Sequence, residues 1–260
     1  MNVFTSSLAA LLFGGVIFVN YLANALPING RNTGEISDAY GNLFAPPGFT
    51  FSIWGLIYTM LLVFVVYQFG LFDTKNYAQK VGLLKKIFPY FSINMIANMV
   101  WVFLWHYDYI FLSLLVMIIL LATLIQISLL LQKETFSFGE KVCIKWPFSV
   151  YFGWITVATI ANVTVFLVSI EWSGFGIAES VWTSMVLLLG TLVGLRRMIK
   201  DTNVVYGLVF VWAYGGILTK HVSFGGFSGQ YPDVIVTVTL CLSLFFVFGI
   251  RMILMPFQKK

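Results

Sequence analysis

Charge is what this sequence has least of. Asp, Glu, Lys and Arg together make up 10% of its 260 residues, where a soluble domain carries about a quarter. That shortage excludes a soluble globular chain. Clustered basic charge is missing too. The net charge is +5, but 15 Lys and Arg spread along the whole chain cannot build the basic face that a nucleic-acid groove needs, so no nucleic-acid partner is expected. Cysteine is scarce. Cys143 and Cys241 have no Cys or His at ligand spacing, which excludes a disulfide framework, a haem-attachment motif and a zinc site. No metal and no resident cofactor are expected. Carboxylates are absent from the apolar stretches themselves: Glu35, Asp38, Asp108, Glu171, Glu179 and Asp233 fall on one side of them, and Asp73, Glu134, Glu140 and Asp201 on the other. A proton-coupled transporter normally carries an ionisable group within the membrane, so that class loses ground.

What the chain has is apolar length. It is 60% hydrophobic and 18% aromatic, with a mean hydropathy of +0.92. Stretches long enough to cross a hydrocarbon core occur near 6–27, 50–70, 88–107, 109–132, 147–170, 181–199, 203–220 and 233–254. They lack the alternation of barrel strands, and backbone groups in lipid must be satisfied within the segment. The expected fold is all-α, a polytopic transmembrane helix bundle of about eight spans. Lys and Arg sort by connection: all but Arg31 and Lys220 lie in the even-numbered connections or at the C-terminus. Such charge is retained in the cytoplasm, which puts both termini there. Ala23-Asn24-Ala25 has the form of a signal-peptidase site, but a span ending in two asparagines fits retention better. No linker separates domains. The longest interruptions are an outer connection at 28–49 and inner ones at 71–87 and 132–146.

Polar groups inside such spans cost free energy in hydrocarbon and should face the bundle interior. Leu22-Ala23-Asn24, Ile96-Ala97-Asn98 and Ile160-Ala161-Asn162 repeat one triplet on the first, third and fifth spans. Asn20 and Asn94 stand one turn before Asn24 and Asn98, so each pair shares a helix face. Two roles are open, interhelical hydrogen bonding and the lining of an outward-facing cavity. Five amides exceed what packing usually requires and favour the cavity. Aromatics crowd the same depth: Phe49, Phe51, Trp54 and Tyr58; Trp101 and Trp105; Tyr151 and Trp154, with Ala158 on the same face. Aromatic walls with a few placed amides are the composition of small-molecule pockets. Trp146, Trp172 and Trp182 are expected as interfacial anchors, and His106 and His221 as surface residues at helix ends. Gly190 and Gly194 mark a close-packing face, inside the bundle or between subunits.

Three segments resemble the tryptophan-rich sensory protein family, also called the translocator protein (TspO) or peripheral benzodiazepine receptor family. They are Pro46-Pro47-Gly48-Phe49 running through Trp54 to Tyr58, Ile96-Ala97-Asn98 with Trp101 and Trp105, and Tyr151-Phe152-Gly153-Trp154 through Ala158 to Asn162. The resemblance covers about 6–170 and implies a five-helix unit over 1–170; three additional helices over 171–260, in the same membrane domain, depart from the family pattern. It also implies a pocket for porphyrins, sterols or benzodiazepine-like aromatics, often in a homodimer. Carried over by position, Trp54, Asn98, Trp154, Ala158 and Asn162 line that pocket, with Phe49 in place of a tryptophan. The family's sterol-recognition Tyr and Arg are absent from 163–171.

The expected protein is therefore an integral, multi-pass membrane receptor or carrier, in a bacterial plasma membrane, for a hydrophobic aromatic ligand such as a porphyrin or haem. The candidate ligand-binding residues are Phe49, Trp54, Asn94, Asn98, Trp101, Tyr151, Trp154, Ala158 and Asn162, and no catalytic residue is assigned. Two other classes stay open. One is a membrane enzyme acting on porphyrin or lipid through the rim groups Glu35, Asp38, Asp108, His106 and His221. The other is a facilitator that moves a small solute without ion coupling.

Overall fold

The computed structural model describes residues 2–26, 28–71 and 74–254. The side chains of 74–76 are outside that set, as are Asp73, Lys259 and Lys260, so Lys75 and these residues contribute only to the charge pattern of the sequence. Helices α1 (Val3–Ala25), α2 (Thr33–Ala39), α3 (Ile53–Tyr67), α4 (Thr74–His106), α5 (Ile110–Leu131), α6 (Phe138–Glu140), α7 (Trp146–Ser169), α8 (Glu179–Lys200), α9 (Val204–Val222) and α10 (Pro232–Leu254) follow in order. No strand occurs among the described residues. Among the described residues, seven helical stretches are long and apolar enough to cross a membrane: Val3–Ala25, Gly48–Tyr67, Tyr77–His106, Ile110–Leu131, Phe138–Ser169, Glu179–Lys200 and Pro232–Leu254. The other expected span, 203–220, is the 19-residue α9. Its glycines, and Lys220 and His221 in its last turn, dilute its apolar character. The fold is a polytopic bundle of helices.

The connections hold more helix than hydropathy indicates. The inner connection expected over 71–87 is largely the first turns of α4, which runs for 33 residues with Pro89 inside it. Lys, Gln, Ala and Leu there are good helix formers, and the hydropathy drop at Lys80, Lys85 and Lys86 marks a change of solvent rather than of backbone. At 132–146, Ser137 and Glu140 form a reciprocal capping box that starts α6. A π-helical turn over Lys141–Lys145 then carries the chain into α7. The outer connection contains α2 and a 3-10 turn at Gly48–Ser52.

The chain divides into two compact units, Met1–Thr33 with Ile53–Ile155, and Gly34–Ser52 with Thr156–Lys260. In the first, α4 packs on both α1 and α5, and α3 packs on α1 and on the π-helical turn. Phe64, Phe91 and Phe148 fill one end of its core, with ring centroids 4.7 to 6.3 Å apart. Ser6 and Tyr77 each donate to the Gln68 carbonyl, at 3.1 and 2.6 Å. In the second unit α8, α9 and α10 pack on one another, and the 3-10 turn at Gly48–Ser52 packs on α9. The expected glycine face lies inside this unit. Gly190 abuts the Tyr214 hydroxyl, and a Cβ at Gly194 would stand 2.8 Å from Phe245 and 3.0 Å from Phe210. These close approaches let helices meet where lipid offers no hydrophobic drive for association.

Candidate functional site

In the first unit the amides form a line. Asn20 on α1 donates to the Asn98 side-chain oxygen at 3.1 Å, and Asn98 on α4 donates to the Tyr151 hydroxyl at 3.0 Å. Asn98 and Tyr151 are 1% exposed. Each group sits on an apolar helix, so the pairing replaces the water it has lost. Aromatic rings surround the line. Trp54 stacks on Tyr58 at 5.3 Å and meets Tyr151 and Trp154 edge-on at 5.9 and 6.3 Å. Tyr151 and Trp154 are buried, whereas Trp54 and Tyr58 are half-buried. The Tyr58 hydroxyl faces the amides of Asn98 and Asn20.

The remaining candidates in this unit take other partners. Asn94 is fully buried and ties α4 to α5, donating to Thr123 Oγ1 at 2.7 Å and to the Leu120 carbonyl at 3.2 Å. This is the interhelical role. Trp101 stacks on Trp105 at 5.5 Å, and Trp105 donates to the Thr33 carbonyl at 3.2 Å. The Trp101 indole N–H is buried with no hydrogen-bond partner among the described residues. Asn24 is exposed and bonds back to its own helix at Asn20. Of the nine candidates, Trp54, Asn98, Tyr151 and Trp154 form one cluster. Asn20 and Tyr58 belong with them, and their sequence signals were the one-turn spacing of Asn20 from Asn24 and of Tyr58 from Trp54.

Phe49, Ala158 and Asn162 belong to the second unit. Phe49 is 53% exposed and lies edge-on to Trp212 at 6.0 Å, whose indole donates to the Thr50 carbonyl at 2.9 Å. Asn162 is buried, and Ala158 is half-buried on α7.

This unit also contains a half-open cavity of about 480 Å³, which lies between residues 41–44, the last turn of α7, the α7–α8 connection and the first turns of α8. Phe44, Trp172 and Trp182 contribute its aromatic surface, Leu167 and Val186 its aliphatic surface, and Glu171 and Glu179 its charge. The two indoles, expected as separate interfacial anchors, lie 5.1 Å apart. The connection between them brings them together. Gly174, Phe175 and Gly176 all adopt positive φ, which glycine accepts without strain. Trp182 then donates to the Gly174 carbonyl at 2.8 Å, and a side chain at Gly174 would press on that indole. Opposite, Asn42 accepts from the Phe44 and Ala45 amides at 3.1 and 2.8 Å, and the Leu43 amide donates to Glu179 at 3.1 Å. The Trp-x-Gly-x-Gly spacing was the available signal for this site.

Both histidines differ from expectation. His106 and His221 are fully buried, each with one ring nitrogen on a carbonyl, that of Val102 at 2.7 Å and that of Leu43 at 2.9 Å. Two ion pairs tie rim charges. Arg31 bonds Asp108 in the first unit, and Lys220 bonds Asp38 at 2.8 Å in the second. Among the described residues no group of three or more His, Cys, Asp or Glu could hold a metal ion.

The chain matches the model of a family described as TSPO-like protein over residues 6–251. No curated protein and no solved structure matches it. The family match runs on past residue 170, where the segments resembling the sensory-protein family end, and through the helices that follow. An apolar multi-helix bundle with that match over almost its whole length is an integral, multi-pass membrane protein belonging to the TSPO-like protein family.

Proposed function

We propose that the protein is a receptor or carrier that binds a flat hydrophobic aromatic molecule of the porphyrin type, with the first unit's cluster as its contact surface. The observation that carries this is the convergence of Trp54, Tyr58, Tyr151 and Trp154 on the Asn20–Asn98–Tyr151 line. The amides are occupied by one another, so they hold the rings in place, and a ligand gains its contact from the half-buried faces of Trp54 and Tyr58. Preorganised aromatic surface of this kind suits a planar π-system. The ligand class comes from the family resemblance, as do pairing into a homodimer and residence in a bacterial plasma membrane.

The test is quenching of tryptophan fluorescence by protoporphyrin in the purified protein, in Trp154→Phe and in Asn98→Ala. Saturable quenching at micromolar ligand that weakens in both variants is the expected outcome. Non-saturable quenching, equal in all three proteins, is partition into the detergent micelle and overturns the proposal. Of the rim groups in the enzyme alternative, Asp38 and Asp108 are ion-paired and both histidines lie on carbonyls.

A further inference from the structure

From the cavity beside the α7–α8 connection we infer that the second unit carries a binding site of its own, for a hydrophobic organic cation. Its volume of about 480 Å³ lies in the range of drug-sized ligand pockets, about 300–1,000 Å³. The walls set the chemistry. Trp172 and Trp182 lie with ring centroids 5.1 Å apart, and Phe44 adds a third aromatic side chain. Indole faces attract cations through their quadrupole, most strongly where aliphatic neighbours such as Leu167 and Val186 keep water away.

Charge then decides between ligand classes. Glu171 and Glu179 both line the cavity, and no Lys, Arg or His does. Neither glutamate takes part in an ion pair among the described residues. Glu179 accepts one backbone N–H, that of Leu43 at 3.1 Å, which fixes its carboxylate and leaves acceptor capacity. An anionic ligand, a porphyrin bearing propionates included, would meet repulsion from both carboxylates. Nor, among the described residues, does any group of three or more His, Cys, Asp or Glu stand here to hold a metal ion. A lipophilic ammonium or phosphonium satisfies aromatic walls and carboxylates together. The site is independent of the first unit's cluster and of the ligand proposed there.

The experiment is calorimetric titration of the purified full chain, in uncharged detergent, with tetraphenylphosphonium and with tetraphenylborate, which share one shape and carry opposite charge. Saturable binding of the cation, with the anion about tenfold or more weaker, is expected from the sign of the lining. Glu171→Gln and Glu179→Gln should each weaken the cation about fivefold, the size of one partly exposed charge contact. Glutamine at 179 keeps an acceptor for the Leu43 amide, and Glu171 lies in the connection after α7, so a folding failure in one variant leaves the other to decide. Equal affinity for the two probes, or wild-type affinity in the folded glutamine variants, overturns the inference. Neither result depends on protoporphyrin binding, so the two proposals fail separately.

Discussion

The two units solve the same problem, how helices adhere in a solvent as apolar as their own side chains, with a different emphasis. The first uses hydrogen bonds between spans. Asn20, Asn98 and Tyr151 link α1, α4 and α7, and Asn94 with Thr123 links α4 and α5. The second has hydroxyl bonds between helices, from Tyr206 to Thr156, Tyr214 to the Leu187 carbonyl and Thr237 to Ser184, and adds close approach. Gly190, Gly194, Gly207 and Gly216 each make room for a side chain from elsewhere in the unit, respectively Tyr214, Phe210 and Phe245, Met198, and Thr50. The consequence differs as well. An amide line is directional and fixes the rings around it, whereas a glycine seam depends on shape alone. The amide-linked unit offers an uncharged aromatic surface, and the glycine-packed unit offers a cavity with two carboxylates at its edge.

The largest expected effect breaks the amide line. Asn98→Leu removes both bonds at once, leaving the Tyr151 hydroxyl unpaired in an apolar core and Asn20 with only its bond to the Val16 carbonyl. The expected loss is about 3 kcal/mol, read as a lowered midpoint of unfolding in a denaturing detergent titration. A wild-type midpoint would show that the amides are not what holds the first unit together. Next in size is a change to the glycine seam. Gly194→Val places a branched side chain where Phe245 and Phe210 already stand at 2.8 and 3.0 Å from a Cβ, and overpacking of this kind costs about 2 kcal/mol. The comparison sharpens if ligand binding is measured too. Gly194→Val should leave protoporphyrin quenching unchanged, while Asn98→Leu should reduce it.

Spans were legible in the sequence because hydropathy reports the solvent a segment prefers, and that property needs no knowledge of neighbours. The buried asparagines were legible for a related reason: an amide in a span must find a partner. Which partner was not legible. Nothing in the spacing of Asn94 and Asn98 says that one turns to Thr123 and the other to Tyr151. The inner start of α4 was hidden because Lys80, Lys85 and Lys86 lower hydropathy without opposing a helix. Trp172 and Trp182 show the sharpest limit. A tryptophan at a helix end has the same composition signal whether it meets lipid headgroups or another indole, and only the backbone path through Gly174 and Gly176 separates the cases. His106 and His221 were hidden similarly, since burial depends on what packs around a helix end: His106 bonds the Val102 carbonyl of its own helix, and His221 the Leu43 carbonyl far away in sequence.

Smaller effects concern how residues 34–52 are held within the second unit. Trp212→Phe keeps the ring edge against Phe49 and removes the N–H that donates to the Thr50 carbonyl at 2.9 Å. The expected cost is about 1 kcal/mol, with faster hydrogen exchange confined to residues near Thr50 as the local readout. Exchange that stays unchanged there would mean that the contact of Thr50 with Gly216 suffices by itself. The smallest effect belongs to Lys220 and Asp38. Their bond is 2.8 Å long, but the Asp38 side chain is 51% exposed, so water and salt screen it. Lys220→Gln should cost about 0.5 kcal/mol or less, and the difference from wild type should shrink as salt is raised. A much larger loss that salt does not reduce would show the pair to be a desolvated clamp on α2, and would move the second unit towards the directional, polar mode of holding that characterises the first.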